Sequence, residues 1–191
     1  SRGMPETTPL IKAALNLRAG AGFDVYKNPD TYHEQNGKSA SGFNMVHTIS
    51  LYEVCSKRYL DLEVQPGRRK NEFQAICHLM DRYAYGGHPI FIADRGFSSY
   101  NVFAHAIENQ IDFMIRAKDL NVQRLLGVNS LLDKLDTTVE LILTRTQSKK
   151  KHKHPEKGEQ YRYICKNIAF DYLNSNDIYD EYLLKLRIVF S

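Results

Sequence analysis

The chain has 191 residues, 42% hydrophobic and 25% charged, enough to bury one proper core, and no tail has the composition of a disordered segment. A formal net charge of +4 and a pI near 8.9 permit a polyanionic partner without requiring one. Three widely spaced cysteines without a Cys-x-x-Cys pair argue against a disulfide framework or zinc site, no apolar stretch is long enough to span a bilayer, and Ser1-Arg-Gly-Met-Pro5 lacks the apolar core of a secretion signal, so a reducing cytoplasm fits best.

In chain order, Phe43, Met45, His47, Ile49 and Leu51 alternate with Asn44, Val46, Thr48 and Ser50, a strand period on which His47 reads as a satisfied core histidine. The next run puts Leu60, Leu62 and Val64 on one face and Asp61 and Glu63 on the other, with a hairpin-length link from Glu53 to Arg58. Pro66-Gly67 ends that strand. The spacing of Phe73, Ile76, Cys77, Met80 and Ala84 then predicts an amphipathic helix over about residues 70–84, closed by Gly86-Gly87. Ile90-Phe-Ile-Ala93 reads as a short interior strand. A second helix follows, marked by Val102, Phe103, Ala106, Ile107 and Gln110, with Ser98 or Ser99 as its N-cap. Phe113, Ile115 and Ala117 alternate with Met114, Arg116 and Lys118 in another strand. Residues 119–138 are less regular, Val139–Arg145 returns to strand, and the chain then reads as loop until Leu184, Leu186, Ile188 and Phe190 form a strand that stops with the chain. The order strand, strand, helix, strand, helix, strand predicts a mixed α/β sheet with helices packed on it.

The most informative residue is Asp94. It follows the buried strand at 90–93, so Asp94-Arg95-Gly96 should lie on a strand-to-helix turn at the carboxyl end of a sheet, where α/β proteins place their chemistry. A hard metal ion could be held there; equally, the carboxylate could cap the next helix or pair with Arg95. Gly96 is expected to relieve a tight turn. Two basic clusters stand out. Lys149, Lys150, Lys151 and Lys153, interleaved with His152 and His154, could neutralise phosphates or simply form a solvated loop. Arg68-Arg69-Lys70 precedes the first helix and would also suit a phosphate backbone. The two histidines, with no third ligand in view, do not make a metal site.

Four blocks in order and spacing, Leu51-Tyr-Glu-Val-Cys-Ser-Lys-Arg-Tyr59, Gln65-Pro-Gly-Arg-Arg-Lys-Asn-Glu72, Ile92-Ala-Asp-Arg-Gly-Phe97 and Phe113-Met-Ile-Arg-Ala-Lys-Asp119, resemble the IS4-type bacterial transposases. Leu141–Gln147, His154-Pro-Glu156 and Phe170–Leu173 are similar to that family's inserted β-rich region. The resemblance implies a ribonuclease H-like catalytic core in which two aspartates and a glutamate bind two Mg²⁺ or Mn²⁺ ions. Asp94 matches the second aspartate. Such ions, about 3.5 to 4 Å apart, activate the attacking oxygen and stabilise the leaving oxygen in phosphodiester cleavage. Carboxylates suit them because Mg²⁺ is hard and prefers oxygen. The resemblance further implies DNA as partner, transposon ends and target, with Arg95 orienting Asp94 or meeting phosphate and Lys118 facing DNA. It also implies a homo-oligomer and a bacterial cytoplasm with nucleoid association.

This chain departs from the pattern in two places. No Asp-Gly-Ser or Asp-Gly-Thr block precedes Asn28; Asp24, in Gly22-Phe-Asp-Val-Tyr26, lies near that position without the context. No Tyr…Arg…Glu…Lys pattern follows. The expectation is therefore an incomplete α/β, ribonuclease H-like protein, with an unmatched segment at 1–27, a partial core at 28–119 lacking its first strand and last helix, and a truncated β-rich insertion at 120–191. A sheet with one uncovered face should be marginally stable. The implied function is that of a transposase fragment, inactive alone, whose family carries out metal-dependent phosphodiester hydrolysis and strand transfer in cut-and-paste transposition. The alternative is a non-catalytic DNA-binding remnant that regulates a full-length copy. A small-molecule phosphohydrolase is a third reading, unsupported by any phosphate-cradling Gly-rich loop.

Overall fold

Leu10–Leu17 is apolar except at Lys12 and Asn16, the composition of an interior strand. The computed structural model, which describes residues 9–17, 28–33, 43–117, 122–123, 134–147, 160–174, 176–177 and 179–190, puts it in that position. The chain divides into two units, Ser1–Ile115 and Arg116–Ser191.

The first unit holds a five-stranded mixed sheet made of β1 (Leu10–Leu17), β4 (Val46–Glu53), β5 (Arg58–Pro66), β6 (Ile90–Ala93) and β7 (Asp112–Ile115), in the order β5-β4-β1-β6-β7. β4 runs antiparallel to both β1 and β5; β6 runs parallel to both β1 and β7. Two short strands, β2 (Tyr32–His33) and β3 (Phe43–Asn44), pair separately, so the predicted strand from Phe43 divides at Met45. This mixed α/β arrangement is compatible with a ribonuclease H-like sheet. Its central strand, β1, comes from residues 1–27, the segment that the sequence reading left unmatched and without a strand.

Two helices cover one face. Helix α1 (Glu72–Asp81) starts at Asn71, whose side chain accepts from Gln74 N at 3.2 Å, and buries Ala75, Ile76, Cys77, Leu79 and Met80 at helical spacing. Helix α2 (Tyr100–Glu108) starts at Ser99, whose Oγ accepts from Val102 N at 3.3 Å. Their buried faces meet Ile11, Ala13, Ile49, Leu51, Phe91 and Ala93 from the sheet. Asp81 ties the helices together, with His105 Nδ1 at 2.7 Å and Asn109 Nδ2 at 2.8 Å from its Oδ1. The opposite face of the sheet leaves Leu62, Val64 and Met114 at least half exposed.

On β5 the acidic face meets the helix while Leu62 and Val64 face outward. The cause is Arg82, at the end of α1, whose guanidinium forks onto Asp61 at 2.7 and 3.2 Å and also donates to Glu63. The hydrogen bond from Arg82 holds Asp61 below its usual carboxyl range. Burial pushes Glu63 up, but hydrogen bonds from Arg82 and His78 outweigh it and leave the pKa lowered. At the other end of α1, Gln65 trades two hydrogen bonds with the Asn71 backbone, at 3.0 and 2.8 Å, fixing the turn between β5 and the helix.

Gly86 and Gly87 adopt φ of +77° and +71°, and a Cβ at Gly87 would sit 3.0 Å from Pro9 Cδ. That tight approach lets the Pro9 carbonyl accept from Ile90 N at 2.9 Å, which joins the start of β1 to the start of β6.

In the second unit, β8 (Leu135–Thr144) pairs antiparallel with β10 (Glu181–Phe190), and β9 (Tyr161–Tyr163) pairs parallel with β8. Leu141, Leu143, Leu184 and Leu186 are buried, as are Tyr161, Ile164, Phe170 and Leu173. The outer face carries cross-strand ion pairs, Lys185 with Glu140 and Arg187 with Asp136. Arg145 closes the loop after β9 by donating to the carbonyls of Cys165, Ile168 and Phe170 at 2.6, 3.0 and 3.3 Å.

Because the folded-state pKa values of Asp61 and Glu63 are lowered, their stabilisation is complete above the unfolded values and is lost as pH falls through the folded ones. Arg82→Ala should therefore cost about 1 kcal/mol in urea unfolding at neutral pH, a figure discounted for solvent exposure. The difference from wild type should begin to shrink as the pH falls past the ordinary values of 3.8 and 4.5 and be smallest below the lower folded values. Gly87→Ala, which meets both a positive φ and Pro9, should cost about 1 kcal/mol or more in the same measurement.

Candidate functional site

The carboxyl ends of β1, β6 and β7, the start of β4 and the end of β5 share one edge of the sheet. Asp94 follows β6 directly on this edge and is exposed. Its extended backbone, φ −72° and ψ 165°, opens a 3-10 turn over Arg95–Phe97; Oδ1 accepts from Arg95 N at 2.7 Å and the carbonyl accepts from Phe97 N at 3.0 Å. Asp94 thus caps the turn, as one of the two sequence readings had it, while the residue stays exposed to solvent. The buried Phe97 anchors the turn beneath. Gly96 does not play the expected part. Its φ is not positive and a Cβ there would meet nothing within 4 Å, so the turn does not require glycine.

The same edge carries the first basic cluster. Arg68, Arg69 and Lys70 are exposed on the turn from β5 to α1, which Gln65 and Asn71 clamp from below. Arg95 is exposed beside Asp94. Among the described residues, Arg68, Arg69 and Arg95 have no carboxylate partner, while Lys70 lies 3.7 Å from Glu72. The Asp30 carbonyl accepts from Arg68 N at 3.3 Å and the Thr31 carbonyl from Met45 N at 2.7 Å, which brings the 28–31 turn to this edge. Sequence reasoning missed two residues here. His47 is fully buried and, among the described residues, its ring nitrogens make no hydrogen bond, although Nε2 lies 3.3 Å from Glu72 Oε1. It is a core histidine whose polar neighbour is Glu72. Glu72 was visible only as the end of a motif, and its place under the edge follows from the β5–α1 turn.

Next to Asp94 stands the central strand. Continuing the parallel register from the Lys12–Ile92 pair brings Ala14 abreast of Asp94. None of the residues of β1 is acidic. A pair of divalent ions needs several converging carboxylate oxygens. Asp94 supplies one group and β1 supplies none. No three His, Cys, Asp or Glu side chains among the described residues are grouped to hold an ion. The described residues therefore do not fit a two-ion site. Asp24, Lys118, Lys149, Lys150, Lys151 and Lys153, together with His152 and His154, lie outside the described residues.

A central strand between an antiparallel hairpin and two parallel strands, with an aspartate at the carboxyl end of the neighbouring strand, narrows the choice of family. The family model of the transposase DDE domain matches residues 20–180. The chain belongs to the transposase DDE domain family. Comparison with curated proteins and with solved structures gave no match. The family acts on DNA and typically uses divalent metal ions. In this DDE transposase domain, β1 precedes the matched segment and Asp94 lies within it. No helix among the described residues is long and apolar enough to cross a membrane.

Capping and chemistry at Asp94 can be separated by substitution. Asp94→Asn keeps an acceptor for Arg95 N and should leave stability within about 0.5 kcal/mol of wild type, whereas Asp94→Ala should cost about 1 kcal/mol in urea unfolding. Gly96→Ala should be neutral within the same margin.

Proposed function

We propose that this DDE transposase domain is of the IS4 type and engages transposon DNA at the Asp94 edge. Asp94 corresponds to the second of the family's three carboxylates, and Arg68, Arg69, Lys70 and Arg95 receive the DNA backbone. One observation carries the reading: an exposed aspartate at the carboxyl end of the strand beside β1 shares its edge with exposed cations that lack carboxylate partners among the described residues. Phosphates neutralised there contribute affinity without reading sequence. Lys118, Lys149, Lys150, Lys151 and Lys153 extend the same electrostatic role in this reading, and the unit from Arg116 onward corresponds to the family's β-rich insertion.

The complete family activity is phosphodiester hydrolysis followed by strand transfer. The carboxylate-free β1 favours a narrower role for the chain itself: it binds DNA without cutting it, and so acts as a transposase fragment that occupies DNA or joins mixed oligomers with an intact copy. Two Mg²⁺ or Mn²⁺ ions belong to the complete family site.

A filter-binding titration with duplex DNA tests this directly. Affinity should fall linearly in log–log form as salt rises, with a slope of about −0.9 per neutralised phosphate. Replacing Arg68, Arg69 and Arg95 together with Gln should flatten the slope by roughly 2 to 3. Duplex incubated with Mg²⁺ or Mn²⁺ should stay intact. Absence of binding at low salt would overturn the DNA reading. Metal-dependent nicking that Asp94→Asn abolishes would overturn the non-cutting role while retaining Asp94 as a ligand.

A further inference from the structure

At the opposite end of the sheet from Asp94, the β4–β5 hairpin tip and the segment after α1 enclose a cleft of about 680 Å³, within the range of ligand sites. Three tyrosines line it. Tyr59 and Tyr85 are 66% and 50% exposed, and they lie together on one cleft. Each exposed ring is braced from behind. Tyr59 packs edge-on against Tyr52 at 5.1 Å, Tyr85 packs edge-on against Tyr83 at 5.5 Å, and the Tyr85 hydroxyl donates to the Leu60 carbonyl. Bracing of this kind fixes the rings before any ligand arrives and so lowers the ordering cost of contact.

Arg58 lines the cleft and Lys57, at φ 56°, precedes it in the hairpin turn; both are exposed and have no carboxylate partner among the described residues, and Arg58 Nε donates to Ser56 Oγ at 3.2 Å. The acid of the lining, Glu53, is turned to the hairpin itself: its carboxylate accepts from Cys55 N at 3.0 Å and Ser56 N at 2.6 Å. The acid of the lining thus closes the turn, while the cations are left for an anion. Exposed aromatic faces beside exposed cations match a nucleotide, with its flat base and its phosphate. In a duplex the base faces are already stacked, so the match is to an unpaired strand.

We propose that the cleft between Tyr59 and Tyr85 is a second nucleic-acid site, which stacks an unpaired base of single-stranded DNA while Lys57 and Arg58 hold the adjacent phosphate. It is separate from the duplex contact at the Asp94 edge and does not depend on that contact. The chain contains no tryptophan and twelve tyrosines, so the part of any tyrosine quenching that Tyr59→Leu removes reports stacking at the cleft.

The test is titration of the whole chain with a short fluorescein-labelled oligothymidylate, read by anisotropy and by tyrosine quenching, with circular dichroism as the folding control. The wild type should bind at low salt with quenching. Tyr59→Leu should weaken binding about tenfold, Tyr59→Phe should retain it because the ring rather than the hydroxyl stacks, and Lys57→Gln with Arg58→Gln should weaken it at low salt and flatten its salt dependence. The Arg68, Arg69 and Arg95 to Gln variant should keep the quenching even where duplex binding is lost, which separates this proposal from the reading of the Asp94 edge. Equal oligothymidylate affinity in Tyr59→Leu and wild type would overturn the proposal, as would absence of binding at low salt. Self-association that Tyr59→Leu abolishes without change in oligothymidylate affinity would assign the cleft to a second copy of the chain, and would also overturn it.

Discussion

Everything in the first unit depends on β1 being hydrogen-bonded along both edges. Its backbone pairs antiparallel with β4 from Ile11 to Leu17 and parallel with β6 from Leu10 to Lys12. A parallel neighbour cannot be joined by a tight turn and needs a crossover, and here the chain passes through the β4–β5 hairpin and α1 before returning as β6. That return sets the direction of β6 and therefore the end at which Asp94 emerges. It also places α1 against the sheet, because Ile11, Ile49, Leu51 and Phe91 share the face that Ile76, Leu79 and Met80 cover. Removing any of these large buried side chains would cost on the order of 2 to 5 kcal/mol, a large part of the stability of a domain this size.

The two ends of the sheet are held by different chemistry. At the carboxyl end, amide and backbone groups do the holding: Gln65 with Asn71, Asp94 with Arg95, Ser99 with Val102. This leaves the cations Arg68, Arg69 and Arg95 uncommitted to carboxylates among the described residues and open to a polyanion. Along β5 the charged groups neutralise one another, since Arg82 is fully engaged by Asp61 and Glu63. At the hairpin end, the acid Glu53 is again engaged locally while Lys57 and Arg58 are not. In both places exposed cations lack carboxylate partners among the described residues, while Asp94 stays exposed at the carboxyl end and Glu53 is held by its own turn.

Much of this was legible in the sequence. The apolar run at 90–93 followed by Asp-Arg-Gly gave the strand, the turn and the exposed carboxylate, and helical spacing gave α1 and α2 to within a few residues. β10 was legible from its alternation, though it begins earlier than the pattern suggests, at Glu181. β1 was missed because an Ala-rich run between unmatched residues carries neither alternation nor motif; its signal was the near-continuous apolarity of a doubly paired strand. β9 was missed because three residues are too few to show a period. The face of β5 that meets α1 could not be read from hydropathy, since Arg82, many residues away in sequence, decides it. For the candidate site, Asp94 and the basic turn were legible, whereas the alanine abreast of Asp94 required the strand register.

Amide hydrogen exchange tests the central claim, that Leu10–Leu17 is the middle strand of the sheet. If so, the amides of β1 that pair with β4 exchange in the slowest class, together with those of β4 and β6, and more slowly than the short β2–β3 pair. Exchange of the β1 amides as fast as those of β2 and β3 would contradict the sheet order. With it would fall the placement of Ala14 abreast of Asp94 and the carboxylate-poor edge that follows from it.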